Sequence, residues 1–142
     1  MPLSSDGRIT VKQMRVNGQD WTVHAVGGSP AQTVQHSILE IMDQPPDLVV
    51  SGINYGLNLG LAVTVSGTVG ATIEATTFGI PALAVSLETD VSHFYTHSEE
   101  IDFSAAAYFT KKFAAYLLDP QVDPADLYEV AEANRAFAHY RW

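Results

Sequence analysis

Between Leu48 and Leu87 the chain carries a single charged side chain, Glu74. So long a stretch with so little charge must be largely withdrawn from water, as the middle of a folded core or as a membrane span. The uncharged run from Leu48 to Ile73 is long enough to cross a bilayer. Asn54, Asn58 and five glycines interrupt it, and a lipid-facing helix tolerates these poorly, so the run reads as core and no membrane partner is expected.

Within this stretch two short aliphatic segments, Asp47-Leu48-Val49-Val50-Ser51 and Ala82-Leu83-Ala84-Val85-Ser86-Leu87, have the composition of strands buried on both faces of a parallel sheet. Between them lie a Gly/Asn-rich loop and a helix that Ser66-Gly67-Thr68 opens, that runs to about Phe78 and that Gly79 stops. Upstream, Trp21 to Val26 alternates and is rich in β-formers, and Gly27-Gly28 closes it. Ser29 then offers an N-cap with Pro30 at the first helical position, and Val34, Ile38, Ile41 and Met42 recur at helical spacing until near Asp43. The order strand, helix, strand, loop, helix, strand predicts an α/β fold, a Rossmann-like parallel sheet with flanking helices and right-handed crossovers. Residues 88–102 read as an acidic loop, and Phe103 to Leu118 as an amphipathic helix with Phe103, Ala107, Phe113 and Leu117 toward one side.

At 142 residues and 46% hydrophobic composition the chain can bury the core of one domain. Seven basic residues stand against sixteen acidic ones, and no Lys or Arg falls between Arg15 and Lys111. That distribution excludes the basic stripe that a nucleic-acid duplex requires. The absence of cysteine excludes disulfides and thiolate zinc sites, and it is compatible with a reducing cytoplasm, the expected location. Met1 to Ser5 has neither a basic nor an apolar region of the kind a signal peptide needs.

The candidate chemistry lies past the first aliphatic strand. Ser51-Gly52-Ile53-Asn54 is expected at its carboxyl end, where open α/β sheets place ligands. It runs into Tyr55-Gly56-Leu57-Asn58-Leu59-Gly60, whose glycines let backbone approach a ligand and whose asparagines offer neutral acceptors and donors. Ser66-Gly67-Thr68 at a helix start adds free N–H groups, two hydroxyls and the positive end of the dipole, a set suited to phosphate. The same residues are also ordinary capping and turn chemistry, and by themselves they leave both readings open. Neither a Walker motif nor a dinucleotide fingerprint is present.

Asp47-Leu48-Val49-Val50-Ser51-Gly52-Ile53-Asn54, Gly56, Asn58-Leu59-Gly60, Ser66-Gly67-Thr68-Val69-Gly70-Ala71, Glu74 and Gly79-Ile80-Pro81-Ala82-Leu83-Ala84-Val85-Ser86 together resemble the signature stretch of the SurE (stationary-phase survival) nucleotidases. Gly28-Ser29-Pro30-Ala31 is similar to a Gly-Thr-Pro-Ala segment of that family, and the match is dense from about Gly27 to Leu87. The resemblance implies a metal-dependent phosphomonoesterase of the 5′/3′-nucleotidase type. It would hydrolyse nucleoside monophosphates with metal-activated water and assemble as a homo-oligomer, a dimer or tetramer. It further implies that Asn54 is a ligand of the divalent metal, Mg2+ or Mn2+, and that Asn58, Ser66, Gly67 and Thr68 lie at the phosphate.

The family supplies its metal charge through an Asp-Asp-Gly that ends a first strand and a serine in a later loop. This sequence has no Asp-Asp pair, and Asp6-Gly7 follows residues too few and too polar for a buried strand. The chain is therefore expected to begin inside the family pattern, with Ile9-Thr10-Val11 matching the strand after that serine. A partial SurE-like domain is expected over residues 1–130 and a divergent tail over 131–142. The alternative function is a catalytically inactive fragment acting as a binding or oligomerisation module, and a third is a nucleotide-binding regulator. His93 and His97, four apart among Glu88, Asp90, Glu99, Glu100 and Asp102, would share one face if helical and could then bind a metal, or they could belong to a solvated loop. Glu74 reads either as a solvent-facing helix residue or as an ion-pair partner at a subunit contact.

Overall fold

The computed structural model describes residues 7–93, 100–119 and 121. Strands β1 (Ile9–Val16) and β2 (Gln19–Val26) form an antiparallel hairpin. Asn17 and Gly18 turn it with φ of 51° and 80°, positive at both central positions as a type I′ turn demands. Register places Gln13 opposite Thr22 and Arg15 opposite Asp20 on one face. Gln13 Nε2 donates to Thr22 Oγ1 at 3.0 Å, and Arg15 Nη1 lies 3.8 Å from Asp20 Oδ1. The other face carries Met14, Val16, Trp21 and Val23, all exposed.

The segment from Trp21 to Val26, expected in the parallel sheet, thus pairs with β1 instead. Its periodicity gave the strand, but periodicity does not say which neighbour a strand finds; the Asn17-Gly18 turn decides that.

Helix α1 (Pro30–His36) starts as expected, with a reciprocal cap in which Ser29 Oγ accepts from the Gln32 N–H and Gln32 Oε1 accepts from the Ser29 N–H. It passes into a π-helical turn over Ser37–Ile41, which ends close to the expected Asp43.

Strands β3 (Val49–Tyr55) and β4 (Ala82–Leu87) pair in parallel, connected through α2 (Gly67–Thr77). The sequence of α2 is a weak helix former, since four threonines, one valine, one isoleucine and two glycines fall within its eleven residues. Packing holds it instead: Ala71 and Ala75, one turn apart, are buried on the side that meets α1 and the sheet, and Ile80 closes the same core. The Gly79 stop is as the sequence predicts. Gly79 takes φ 74°, its N–H donates to the Thr76 carbonyl, and the Ile80 N–H reaches back to the Ala75 carbonyl.

Helix α3 (Ser104–Leu118) packs on β4. Its inner side is formed by Ala106, Phe109, Thr110 and Phe113, which with Leu83, Val85 and Leu87 line the groove between the two elements. Ala107, expected on that side, is exposed. No helix among the described residues is long and apolar enough to cross a membrane.

Candidate phosphate site

β3 runs to Tyr55, four residues beyond the aliphatic run, so Asn54 belongs to the strand itself and not to the loop after it. The β3 to β4 pairing shifts between Ser51 and Asn54 and then resumes with Asn54 opposite Ser86. Gly52 makes that shift possible. It adopts φ 129°, and a Cβ there would run into the Val85 carbonyl oxygen.

Asn54 Nδ2 donates to the Gly56 carbonyl at 2.9 Å. A carbonyl can only accept, so this bond fixes which way the amide lies and leaves Oδ1 and the second Nδ2 hydrogen as what the side chain can offer to a ligand. Gly56 in turn donates its N–H to the Leu87 carbonyl at 2.8 Å, which carries the pairing with β4 one residue past the end of β3. Asn58 follows two residues later, and its Nδ2 donates to Ser86 Oγ at 2.6 Å. The structure therefore brings Asn54 and Asn58 to one place, the carboxyl end of the parallel pair, around Ser86. All three are half-buried.

The segment after Asn58 is not the open loop its Gly/Asn content predicts. Gly60–Val65 forms a 3-10 helix and delivers the chain to Ser66. Ser66 caps α2, its Oγ accepting from the Val69 N–H at 3.2 Å while its carbonyl accepts from the Gly70 N–H. Gly67 and Thr68 are the first two helical residues, and their N–H groups have no carbonyl one turn back within the helix to bond. Gly67 lies against α1, because a Cβ on it would come within 2.8 Å of Pro30 Cγ. Among the described residues no hydrogen bond joins Ser66, Gly67 or Thr68 to either asparagine; the helix start and the asparagine pair are separate donor groups, and α2 itself packs on β3 and β4.

Sequence reasoning gave Ser86 no role. The signal was available, since it is the one hydroxyl in the otherwise aliphatic β4, two residues before the strand's polar exit. Glu74 lies half-buried on α2 and forms no ion pair among the described residues. Val91–His93 forms a 3-10 turn, and His97, expected to share a face with His93, lies outside the described residues. Asp6 and the tail over 131–142 lie outside them too. Asp90 and Asp102 are held below the usual carboxylate value by hydrogen bonds from Ser92 and Ser104 respectively.

The family model described as Survival protein SurE matches residues 3–139. The chain belongs to the SurE family. It is 44% identical over 115 residues to the 5′-nucleotidase SurE of Geotalea daltonii, covering 81% of this chain and 43% of that protein. With the 5′-nucleotidase SurE of Methanosphaera stadtmanae it shares 46% identity over 93 residues, covering 64% of this chain and 36% of the relative. The crystal structure of the SurE protein from Aquifex aeolicus superposes with a TM-score of 0.54 at 30% identity, over 81% of this chain and 42% of that one. This SurE chain thus spans about two fifths of the length of the relatives it matches. The α/β fold with a parallel strand pair flanked by helices is the SurE fold over that length.

Proposed function

We propose that this chain carries the phosphate-binding side of a 5′-nucleotidase-type phosphomonoesterase that acts on nucleoside monophosphates in the cytoplasm. The observation that carries the reading is the pair of asparagines gathered at Ser86, followed along the chain by a helix start whose first N–H groups are free of intrahelical partners. Two of the family relatives it resembles bear the name 5′-nucleotidase. In this reading the phosphate of the substrate meets the Gly67 and Thr68 N–H groups, the Thr68 hydroxyl and the remaining Asn58 N–H. Ser66 Oγ caps the Val69 N–H as an acceptor, and its own proton remains to be donated to the phosphate. Donors fixed before the substrate arrives stabilise charge on the phosphoryl oxygens without reorganising, as an in-line displacement by water that releases nucleoside and inorganic phosphate requires.

The resemblance also implies Mg2+ or Mn2+. Such ions take several oxygen ligands, carboxylates prominent among them. Asn54 Oδ1 would supply one neutral oxygen, and the described residues contain no group of three His, Cys, Asp or Glu able to hold a metal. These residues alone therefore do not fit a divalent ion, and the work assigned to them is to bind and orient the phosphate. Calorimetric titration with AMP and with adenosine tests the reading: AMP should bind and adenosine should not. Equal behaviour of the two ligands would remove the phosphate from the account.

A second reading, a catalytically inactive binding or oligomerisation module, is favoured by the apolar hairpin face of Met14, Val16, Trp21 and Val23, which is exposed. Sedimentation of the chain with and without AMP separates the two. The module reading requires a defined oligomer, a dimer or tetramer, that AMP leaves unchanged.

A further inference from the structure

Ser86 stands where the two asparagines meet. It is the Cα partner of Asn54 in the strand register, and its Oγ accepts from Asn58 Nδ2 at 2.6 Å across a sequence separation of 28 residues. Asn58 lies in a short segment between Gly56 and Gly60, whose φ values of 100° and 55° show that the chain turns sharply on either side of it. Among the described residues the bond to Ser86 is the only hydrogen bond of the Asn58 side chain. An asparagine on such a segment, left unclipped, samples several rotamers and loses that freedom when a ligand binds.

We propose that Ser86 is a positioning residue of the phosphate site: its Oγ holds one Nδ2 hydrogen of Asn58, so that the second hydrogen is already aimed when phosphate arrives. The inference rests on the reading that Asn58 meets the phosphate. Because Ser86 Oγ is the acceptor in this bond, its own proton is not consumed by Asn58 and remains available to a further acceptor. Aliphatic neighbours on β4 offer no substitute, since Ala82, Leu83, Ala84, Val85 and Leu87 carry no side-chain acceptor.

Proton–nitrogen NMR titration with inorganic phosphate tests the inference on the wild-type chain and on Ser86→Ala, Ser86→Thr, Asn58→Ala and the Asn58→Ala/Ser86→Ala double variant. Ser86→Ala should weaken phosphate binding about five- to tenfold, the effect of one lost hydrogen bond. In the same spectra the Asn58 side-chain amide pair should move to the position of a free asparagine. Ser86→Thr, which keeps the hydroxyl, should retain both the affinity and the amide position. In the Asn58→Ala background Ser86→Ala should cost nothing further, because the clipped group is gone. Wild-type affinity in Ser86→Ala, an unmoved Asn58 amide pair, or the same loss with and without Asn58 would overturn the positioning role. A wild-type chain that does not bind phosphate would instead overturn the phosphate reading, and this inference with it.

Discussion

Asn58 and Ser86 are joined by a 2.6 Å hydrogen bond that ties the segment after β3 to the penultimate residue of β4. Around it the register sets Asn54 opposite Ser86, so three polar side chains converge where the aliphatic parallel pair ends. That convergence is what turns two asparagines, unremarked in an ordinary Gly/Asn turn, into a candidate site.

Ser66 caps α2, and in the proposed reading that cap also fixes the donors of the phosphate site. Ser66→Ala removes the acceptor of the Val69 N–H and should destabilise the chain by about 1 kcal/mol, the usual cost of an N-cap. Urea unfolding reads that loss. The variant should also bind AMP more weakly, because the first turn of α2 frays and its free N–H groups lose their fixed direction.

Gly67 tests the junction of the two helix starts. A methyl at this position would sit 2.8 Å from Pro30 Cγ and 3.1 Å from Cδ, atoms of a ring that cannot rotate aside. Gly67→Ala should therefore push α2 from α1 and cost about 1–3 kcal/mol, the range for overpacking. Thermal unfolding beside Gly70→Ala is the control, since a Cβ on Gly70 meets nothing within 4 Å and that substitution should be neutral or stabilising.

Gly52 is more demanding. Gly52→Ala would combine a backbone conformation that L residues avoid with a Cβ driven into the Val85 carbonyl. The expected cost is above about 3 kcal/mol, enough to lose the β3 to β4 register and with it the pairing of Asn54 with Ser86. Amide hydrogen exchange at Gly56, whose N–H bonds Leu87, would report the loss as a collapse of protection.

Asp102 precedes α3, and hydrogen bonds from the Ser104 side chain and from its N–H, the latter at 2.8 Å, hold its carboxyl below the ordinary value of 3.8. A carboxyl lowered in the folded chain adds stability that is present above its unfolded value and is lost as pH falls through the folded one. Ser104→Ala should raise the Asp102 value toward 3.8 in a carbon-detected NMR titration. It should also start the acid-induced fraying of α3 at a higher pH. An Asp102 titration indifferent to Ser104 would contradict this.

Much of the fold is legible in the residues. Ser29 with Pro30, Ser66 with Gly67, and Gly79 mark helix ends through local chemistry, and each does in the structure what its type predicts. Aliphatic runs name β3 and β4 because only buried strands tolerate them. The hairpin partner of Trp21 to Val26 is legible too, in the local Asn17-Gly18 turn between two strand-forming segments, a signal that periodicity passes over. What the residues do not disclose is non-local. Placing Asn54 inside the strand depends on Gly52 accommodating the register shift, and the role of Ser86 depends on a pairing between residues far apart in sequence. Periodicity carries none of these, because it describes one segment at a time.

The central claim is that phosphate is held at the start of α2 and by the Asn58 amide. Chemical-shift mapping of the isotope-labelled chain with inorganic phosphate tests it most directly. The account predicts saturable shifts of the Gly67 and Thr68 backbone amides and of the Asn58 side-chain amide, with a common dissociation constant. Shifts confined to other residues, or none at these three at saturating phosphate, would contradict it.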